Sequence, residues 1–327
     1  MKIKAAMCRE FGAQVKIEDV EPPALRAGAV RIRVALAAVN PPDVLMPLGK
    51  YQVKPELPFA IGVEGAGVVT EVATDVTDLR IGDRVMTYAG HGCIAEEVVV
   101  ASHLVHKVPD AMSFEMAAGF ALVYGTAYHA LVQRGNLTAG ESVAVLGAAG
   151  GIGLCAIQIA KALGASVVAV ASTPEKLAVC RENGADHVIA TATDNLKERL
   201  REFGDGEGVH VVHDTVGGPL TLAALRGLRP YGRHLIVGYS SGGIPQIPAN
   251  YILLKQVSVT GVSFRQCAQD TPAVARAGIR TLLEMWTAGK LRPHVSAVHP
   301  LVRFSDALGA LSSRSAIGKH LVRVAAT

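Results

Sequence analysis

The stretch SVAVLGAAGGIGLCAIQIAKALGASVVAVASTPEK, residues 142–176, decides the fold. It opens with a short Val-rich run, crosses four glycines between Gly147 and Gly153, and continues as an uncharged apolar segment of helical length. A second apolar run, SVVAVA at 166–171, follows Gly164. In a unit of strand, glycine turn, helix and strand, the chain turns sharply, its backbone approaches a pyrophosphate closely, and the helix packs tightly on the strand. The phosphates then lie at the positive end of the helix. Gly147, Gly150, Gly151, Ile152 and Gly153 are the residues that this reading places there. Residues 142–160 approach the length of a membrane span, and Gly147 and Gly151 have the spacing of a transmembrane dimer motif. The Val-rich opening and the mid-segment clustering of the glycines fit strand, turn and helix better, so no membrane partner is expected.

Beyond this unit the alternation continues through a helix over 174–183, DHVIA, the polar NLKERLREFG, VHVVHD, a helix near LTLAALRGL, RHLIVG and VSVTGV. Strands alternating with helices of this length argue for a parallel, doubly wound sheet. Residues 1–110 read differently. KIKAAMCR, VRIRVALAAV, GVEGAGVVTEV, GDRVMTY and IAEEVVV are short β-branched runs separated by Gly, Pro and Asp, which suggests a barrel or sandwich. Between the two regions, SFEMAAGFALVYGTAYHALVQR has helical spacing interrupted by glycines. The tail reads as a helix (TPAVARAGIRTLLEMWTAG), a strand-like HVSAVHPL, a helix FSDALGALSS and a final strand HLVRVAA that rejoins the first domain. The expected division is a discontinuous β-rich domain at 1–122 and 265–327 and a nucleotide-binding domain at 123–264.

The 327 residues are enough for two separate cores. Half are hydrophobic and 18% are charged, which excludes a disordered or coiled-coil chain. Lys and Arg number 32 against 28 Asp and Glu, so the net charge is +4, with no block of five like charges. Without clustered basic residues a nucleic-acid partner is not expected. The cysteines, Cys8, Cys93, Cys155, Cys180 and Cys267, form no C-x-x-C pair, so neither a disulfide framework nor a structural zinc site is indicated. The opening MKIKAAMCREFG lacks the apolar centre of a signal peptide, and a cytoplasmic enzyme is expected.

After SVVAVA, an NAD-selective site carries an acid for the ribose 2′-hydroxyl. Ser172-Thr173-Pro174-Glu175-Lys176 stands there instead. A hydroxyl and a nearby Lys suit a 2′-phosphate, so NADPH is the expected cofactor. The same residues have a purely structural use, with Thr173 as helix cap, Pro174 as first helical residue and Lys176 as a solvated charge. His210 and His213 resemble a metal-ligand pair, but residues three apart on a strand face opposite ways. His91 with Cys93, and His103 with His106 on a helical turn, lack partners to complete four ligands, so no metal is expected. No G-x-S-x-G occurs, which leaves a hydrolase without its nucleophile elbow.

GKYQVKPELPFAIGVEGAGVV, VYGTAYHAL, GAAGGIGLCAIQIAKALGA, ENGADHVI, DTVGG, RHLIVGYSSGGIPQIPANYILLK and the ending SSRSAIGKHLV together resemble the zinc-independent, zeta-crystallin-like quinone oxidoreductases of the medium-chain dehydrogenase/reductase superfamily. The resemblance covers essentially the whole chain. It implies an α/β protein with a GroES-like β-rich catalytic domain, a doubly wound Rossmann domain, and NADPH in a cleft between them. It also implies cofactor contacts at Thr126, Thr191, Gly217, Gly238, Tyr239, Ser240, Val262, Ser263 and Phe264, besides the glycine turn and Ser172, Thr173 and Lys176. Zinc-dependent relatives have a His where Val63 stands. Many members have Tyr at the position of Leu45, and an aromatic or basic residue at that of Thr191.

The implied reaction is hydride transfer to an electron-poor carbon of a quinone or an α,β-unsaturated carbonyl. Hydrogen-bond donors then stabilise the developing oxyanion, and Asn40 and Tyr51 are the expected catalytic residues. Asn40 reads equally as a turn residue before Pro41, and Tyr51 as a packing residue. Two rival readings are an enoyl thioester or enone reductase and a non-catalytic NADPH- or RNA-binding protein. A homodimer or larger closed assembly is also expected, since VSVTGV would otherwise leave a sheet edge bare, and the resemblance implies that this edge pairs across a twofold axis.

Overall fold

The computed structural model describes residues 1–313 and 315–325. Arg314, within the matched ending, and Ala326, within the expected last strand, lie outside the described residues. The strands β1 (Ile3–Cys8), β2 (Lys16–Val20), β3 (Ala29–Ala38), β4 (Phe59–Ala60), β5 (Glu64–Val72), β6 (Arg84–Tyr88), β7 (Glu97–Ala101) and β8 (Val105–Lys107) come first. Then β9 (Ser142–Leu146), β10 (Ser166–Ala171), β11 (His187–Ala190), β12 (Val209–Asp214), β13 (Leu228–Ile236) and β14 (Ser258–Gly261) alternate with helices, and β15 (Val295–Pro300) and β16 (Lys319–Arg323) come last. The chain divides into two compact units: Met1–Leu122 together with the segment from Pro293, and Val123–Arg292.

In the first unit, β3 alternates over Val30–Val34 as a strand packed on one side does, and is buried throughout Val34–Ala38. Val30, Ile32 and Val34 are buried, while Arg31 bonds Glu71 and Glu97 on the strands either side of it. β3 is antiparallel to β5, β7 and β16, in a sheet whose order runs β15-β16-β3-β5-β6-β8 with β7 on β3. A smaller sheet, β2-β1-β4, accompanies it. Their shared core gathers Ile32, Ile61, Val69, Val85, Ile94 and Val322.

The second unit is a six-stranded parallel sheet in the order β11-β10-β9-β12-β13-β14. This is the order of a doubly wound nucleotide-binding sheet, in which ligands bind at the C-terminal strand ends where the order reverses. Here that reversal lies between β9 and β12. β9 is buried along its whole length, as central parallel strands are. Gly217 N-terminally flanks the helix Gly218–Gly227, and among the described residues β14 pairs with β13 alone, at the sheet edge.

Two expectations are corrected. Residues 265–292 do not join the first domain. Small residues let the helices Phe264–Asp270 and Pro272–Thr287 lie close to the residues after Val123: a Cβ on Gly125 would fall 2.6 Å from the Phe264 ring, and one on Gly278 3.3 Å from Tyr128. Gln133 Nε2 donates to the Val274 carbonyl, and Arg292 N to Gln158 Oε1 at 2.8 Å. His103 and His106 also do not share a helical turn, because a 3-10 turn at Ser102–Leu104 gives way to β8, which carries His106. No helix among the described residues is long and apolar enough to cross a membrane.

Candidate functional site

The glycine turn after β9 is built by close approach. Gly147 has φ +67°, and a Cβ there would stand 2.7 Å from Thr215 Oγ1. A Cβ on Gly153 would meet the Gly147 and Ala148 carbonyl oxygens at 2.4 and 2.5 Å, so the helix Gly151–Ala162 starts in contact with the turn. Gly150 is its cap, and Gly150 N donates to Gly147 O at 3.0 Å. Gly151, Ile152 and Gly153 form the first turn, where N–H groups have no acceptor within the helix. The tight turn and bare backbone at a strand end fit a dinucleotide pyrophosphate.

The neighbouring strand ends gather the other residues that sequence reading selected in this unit. Ser172 is exposed beyond β10, and Thr191 N donates to Ala171 O at 3.0 Å, which sets Thr191 beside the end of β10. Thr173 Oγ1 accepts from Lys176 N, so its hydroxyl caps the helix Pro174–Glu182. Glu175 was missed by the reading of the sequence. Its own backbone N–H and the Thr173 hydroxyl hold its carboxyl below the ordinary value. It therefore sets an anion in the turn that carries Lys176. The signal was available, since acids favour the first turn of a helix.

Asp214, at the end of β12, was also missed. Its Oδ1 accepts from Val216 N and Gly217 N, and its Oδ2 from Thr221 Oγ1 at 2.6 Å and from His234 Nε2 at 3.1 Å. Burial pushes its pKa up, but the His234, Gly217 and Thr221 bonds outweigh this and hold it low. These bonds shape the turn at Gly217. Gly238 N donates to Asp214 O and Ser240 N to Thr215 O, so the turns after β12 and β13 are joined, with Tyr239 beside Gly217. Val262 N donates to Ile236 O, and Ser263 Oγ caps the helix Phe264–Asp270 by accepting from Gln266 N. Phe264 and Thr126 are both 7% exposed, and the Phe264 ring lies against Gly125. The Phe264 ring therefore lies beside the helix that carries Thr126.

In the first unit a buried polar cluster surrounds Asn40. Lys319 Nζ donates to Val39 O at 2.9 Å, Asn40 Oδ1 at 2.7 Å and Glu64 Oε1 at 3.0 Å. An ammonium only donates, so it identifies which end of the Asn40 amide is oxygen. The two Nδ2 hydrogens go to Ala38 O at 3.1 Å and Glu64 Oε1 at 2.9 Å. With 3% exposure and both amide hydrogens spent, Asn40 cannot donate to a substrate oxygen, and that expectation is corrected. Asp43 accepts from Asn40 N and Gly62 N, and burial pushes its pKa up to about 7 against those bonds and the Lys319 charge. Tyr51 is half-buried and packs on the first unit's core. Val63 is 1% exposed and carries no ligating atom.

Among the described residues no group of three or more His, Cys, Asp or Glu could hold a metal ion. His210 bonds Ser142 and Arg229, whereas His213 is buried with no hydrogen-bond partner among the described residues.

Two family models match, "Alcohol dehydrogenase GroES-like domain" over residues 26–110 and "Zinc-binding dehydrogenase" over 151–279. The chain is 37% identical over 322 residues to a quinone oxidoreductase-like protein 2 homolog of Nematostella vectensis, covering 98% of this chain and 88% of that protein. Among solved structures, a Pseudomonas syringae quinone oxidoreductase matches with TM-score 0.92 and 30% identity, over 98% of this chain and 99% of the other. A mycobacterial protein solved in complex with NADPH matches with TM-score 0.92 and 29% identity, also over 98% and 99%.

Proposed function

Because the chain belongs to the quinone oxidoreductase family of the medium-chain dehydrogenase/reductase superfamily, we propose that it is an NADPH-dependent reductase of quinones or other electron-poor conjugated carbonyls. The observation that carries this reading is the cradle at Gly147 and Gly153, which any added Cβ would fill. When bound, NADPH supplies the hydride. Gly147 and the first turn Gly151-Ile152-Gly153 hold its pyrophosphate, and Ser172, Lys176 and Thr191 face its 2′-phosphate while Glu175 opposes it. Thr126, Gly217, Gly238, Tyr239, Ser240, Val262, Ser263 and Phe264 complete the cofactor contacts. With Asn40 committed to Lys319 and Glu64, Tyr51 is the donor assigned to the developing oxyanion; such a donor is aimed at charge that appears only in the transition state.

We assign no metal to the reaction. Val63 offers no ligand, and the Asn40 and Glu64 oxygens already take an ammonium. Metal analysis of the purified protein is expected to find far less than one zinc per chain, and chelator to leave the rate unchanged; stoichiometric zinc with activity lost on its removal would reverse this assignment. One observation favours a second reading, NADPH binding without turnover: the spent amide hydrogens of Asn40 remove one of two donors. NADPH oxidation followed at 340 nm with quinones, enones and enoyl-CoA esters separates the two. Turnover with a quinone or enone is expected, and tight NADPH binding with no acceptor consumed would support the second reading.

A further inference from the structure

We propose that Glu64 is a positioning residue for hydride transfer, with Lys319 as its counter-charge; the proposal rests on the reductase reading above. Glu64 is fully buried and uses both oxygens. Oε1 accepts from Asn40 Nδ2 and Lys319 Nζ, and Oε2 accepts from Leu122 N at 3.0 Å. Leu122 is the second residue of the helix Ala121–Tyr128, so its N–H has no acceptor within that helix. A carboxylate there also suits the positive helix end. Thr126 lies about one turn further along the same helix. Asn40 in turn is the cap of the helix Pro41–Leu45, and Tyr51 follows that helix in the sequence. Within the first unit, one carboxylate therefore holds both the Asn40 turn and the start of the helix on which Thr126 lies.

Lys319 explains how a carboxylate can be kept there. It is 7% exposed and all three ammonium hydrogens are bonded, so the Glu64 charge is compensated at the point of burial. Removing one partner strands a buried charge, whereas removing both together does not. That difference separates positioning from folding. In Glu64→Gln/Lys319→Met both members of the ion pair are neutral, and Asp43, which loses the Lys319 charge and the Glu64 charge together, keeps its bonds from Asn40 N and Gly62 N; a glutamine, however, can accept on only one side. It cannot serve Asn40 and Leu122 at once.

The double variant is expected to fold and to bind NADPH within about twofold of wild type. Its kcat with menadione is expected to fall by about tenfold or more, as small misplacements of reacting groups do. The isotope effect with NADPH deuterated at C4 is expected to rise, because hydride transfer becomes limiting. A folded double variant with wild-type kcat and isotope effect would overturn the proposal. Should the double variant not fold, Glu64→Asp, which keeps the charge but shortens the reach, is read by the same two measurements. A wild type that reduces no acceptor defeats the reductase reading alone; the emission of bound NADPH then decides, a shift between wild type and variant supporting the tie and identical spectra overturning it.

Discussion

His213 and Asp43 are both buried, and the stability that each contributes depends on pH in opposite directions. Burial lowers the His213 pKa to about 4, with Asp214 opposing the shift. In the unfolded chain an imidazole titrates near ~6.5, so between those values the unfolded state holds the extra proton. Stability from this residue is therefore complete above about 6.5 and falls toward pH 4 by about 1.4 kcal/mol per unit. For Asp43 the folded value of about 7 stands above the ordinary carboxylate range, so its contribution is present at low pH and lost as pH rises to 7. Replacing the unpartnered imidazole isolates the first effect. His213→Leu is expected to gain about 2 kcal/mol more at pH 5 than at pH 7, read from urea midpoints. Equal gains at both pH values would show that the ring carries no such penalty. Around the 2′-phosphate the same reasoning uses exposed charges, which are worth about 1 kcal/mol or less. Lys176→Ala is expected to weaken NADPH about fivefold, and Glu175→Gln to tighten it by a similar factor, with NADH unchanged in both. Titration of each variant with both cofactors checks this, and parallel changes in NADH would mean that the 2′-phosphate lies elsewhere.

At the scale of elements, local chemistry and packing disagree most plainly at Gly153. Alanine is the better helix former by about 1 kcal/mol. Yet a Cβ there would lie 2.4 Å from a backbone oxygen, and backbone does not yield as a side-chain end does. Gly153→Ala is therefore expected to lower Tm and to raise the NADPH Kd by about tenfold or more, each opposite to propensity. Thermal melts with and without NADPH measure both, and a stabilised variant with unchanged Kd would place the pyrophosphate away from this turn. The start of this helix was legible because glycine spacing has one physical use there. The helix after β10 was legible in both of its readings, and Thr173 takes the capping one. Residues 265–292 were not legible as part of the second unit. Their apolar periodicity says that they bury a face, but not against which partner, and Gly125 and Gly278 create that partner surface only once the helices are folded.

For the whole molecule, the edge of the parallel sheet is the feature with a consequence in solution. Among the described residues β14 pairs with β13 alone, and the helix before it exposes Leu253 and Leu254, each at 75%. An unprotected edge beside apolar side chains invites pairing with another chain. Light scattering at micromolar concentration is expected to give about twice the 34.1 kDa of one chain, and Leu253→Glu/Leu254→Glu to lower that mass. A 34.1 kDa particle for the wild type would contradict a dimer built on this edge. The fold class needed only the sequence, because alternation of strands with helices and a glycine turn between them are local patterns with few solutions. So did the location of the cofactor turn at Gly147–Gly153. The partners of buried polar groups needed the tertiary structure. Asn40, Glu64 and Lys319 are separated by 24 and 255 residues, and no local pattern links them. Whether an asparagine donates to a substrate or is held by a lysine depends on which strands become neighbours, and the pairing of β16 with β3 decides it.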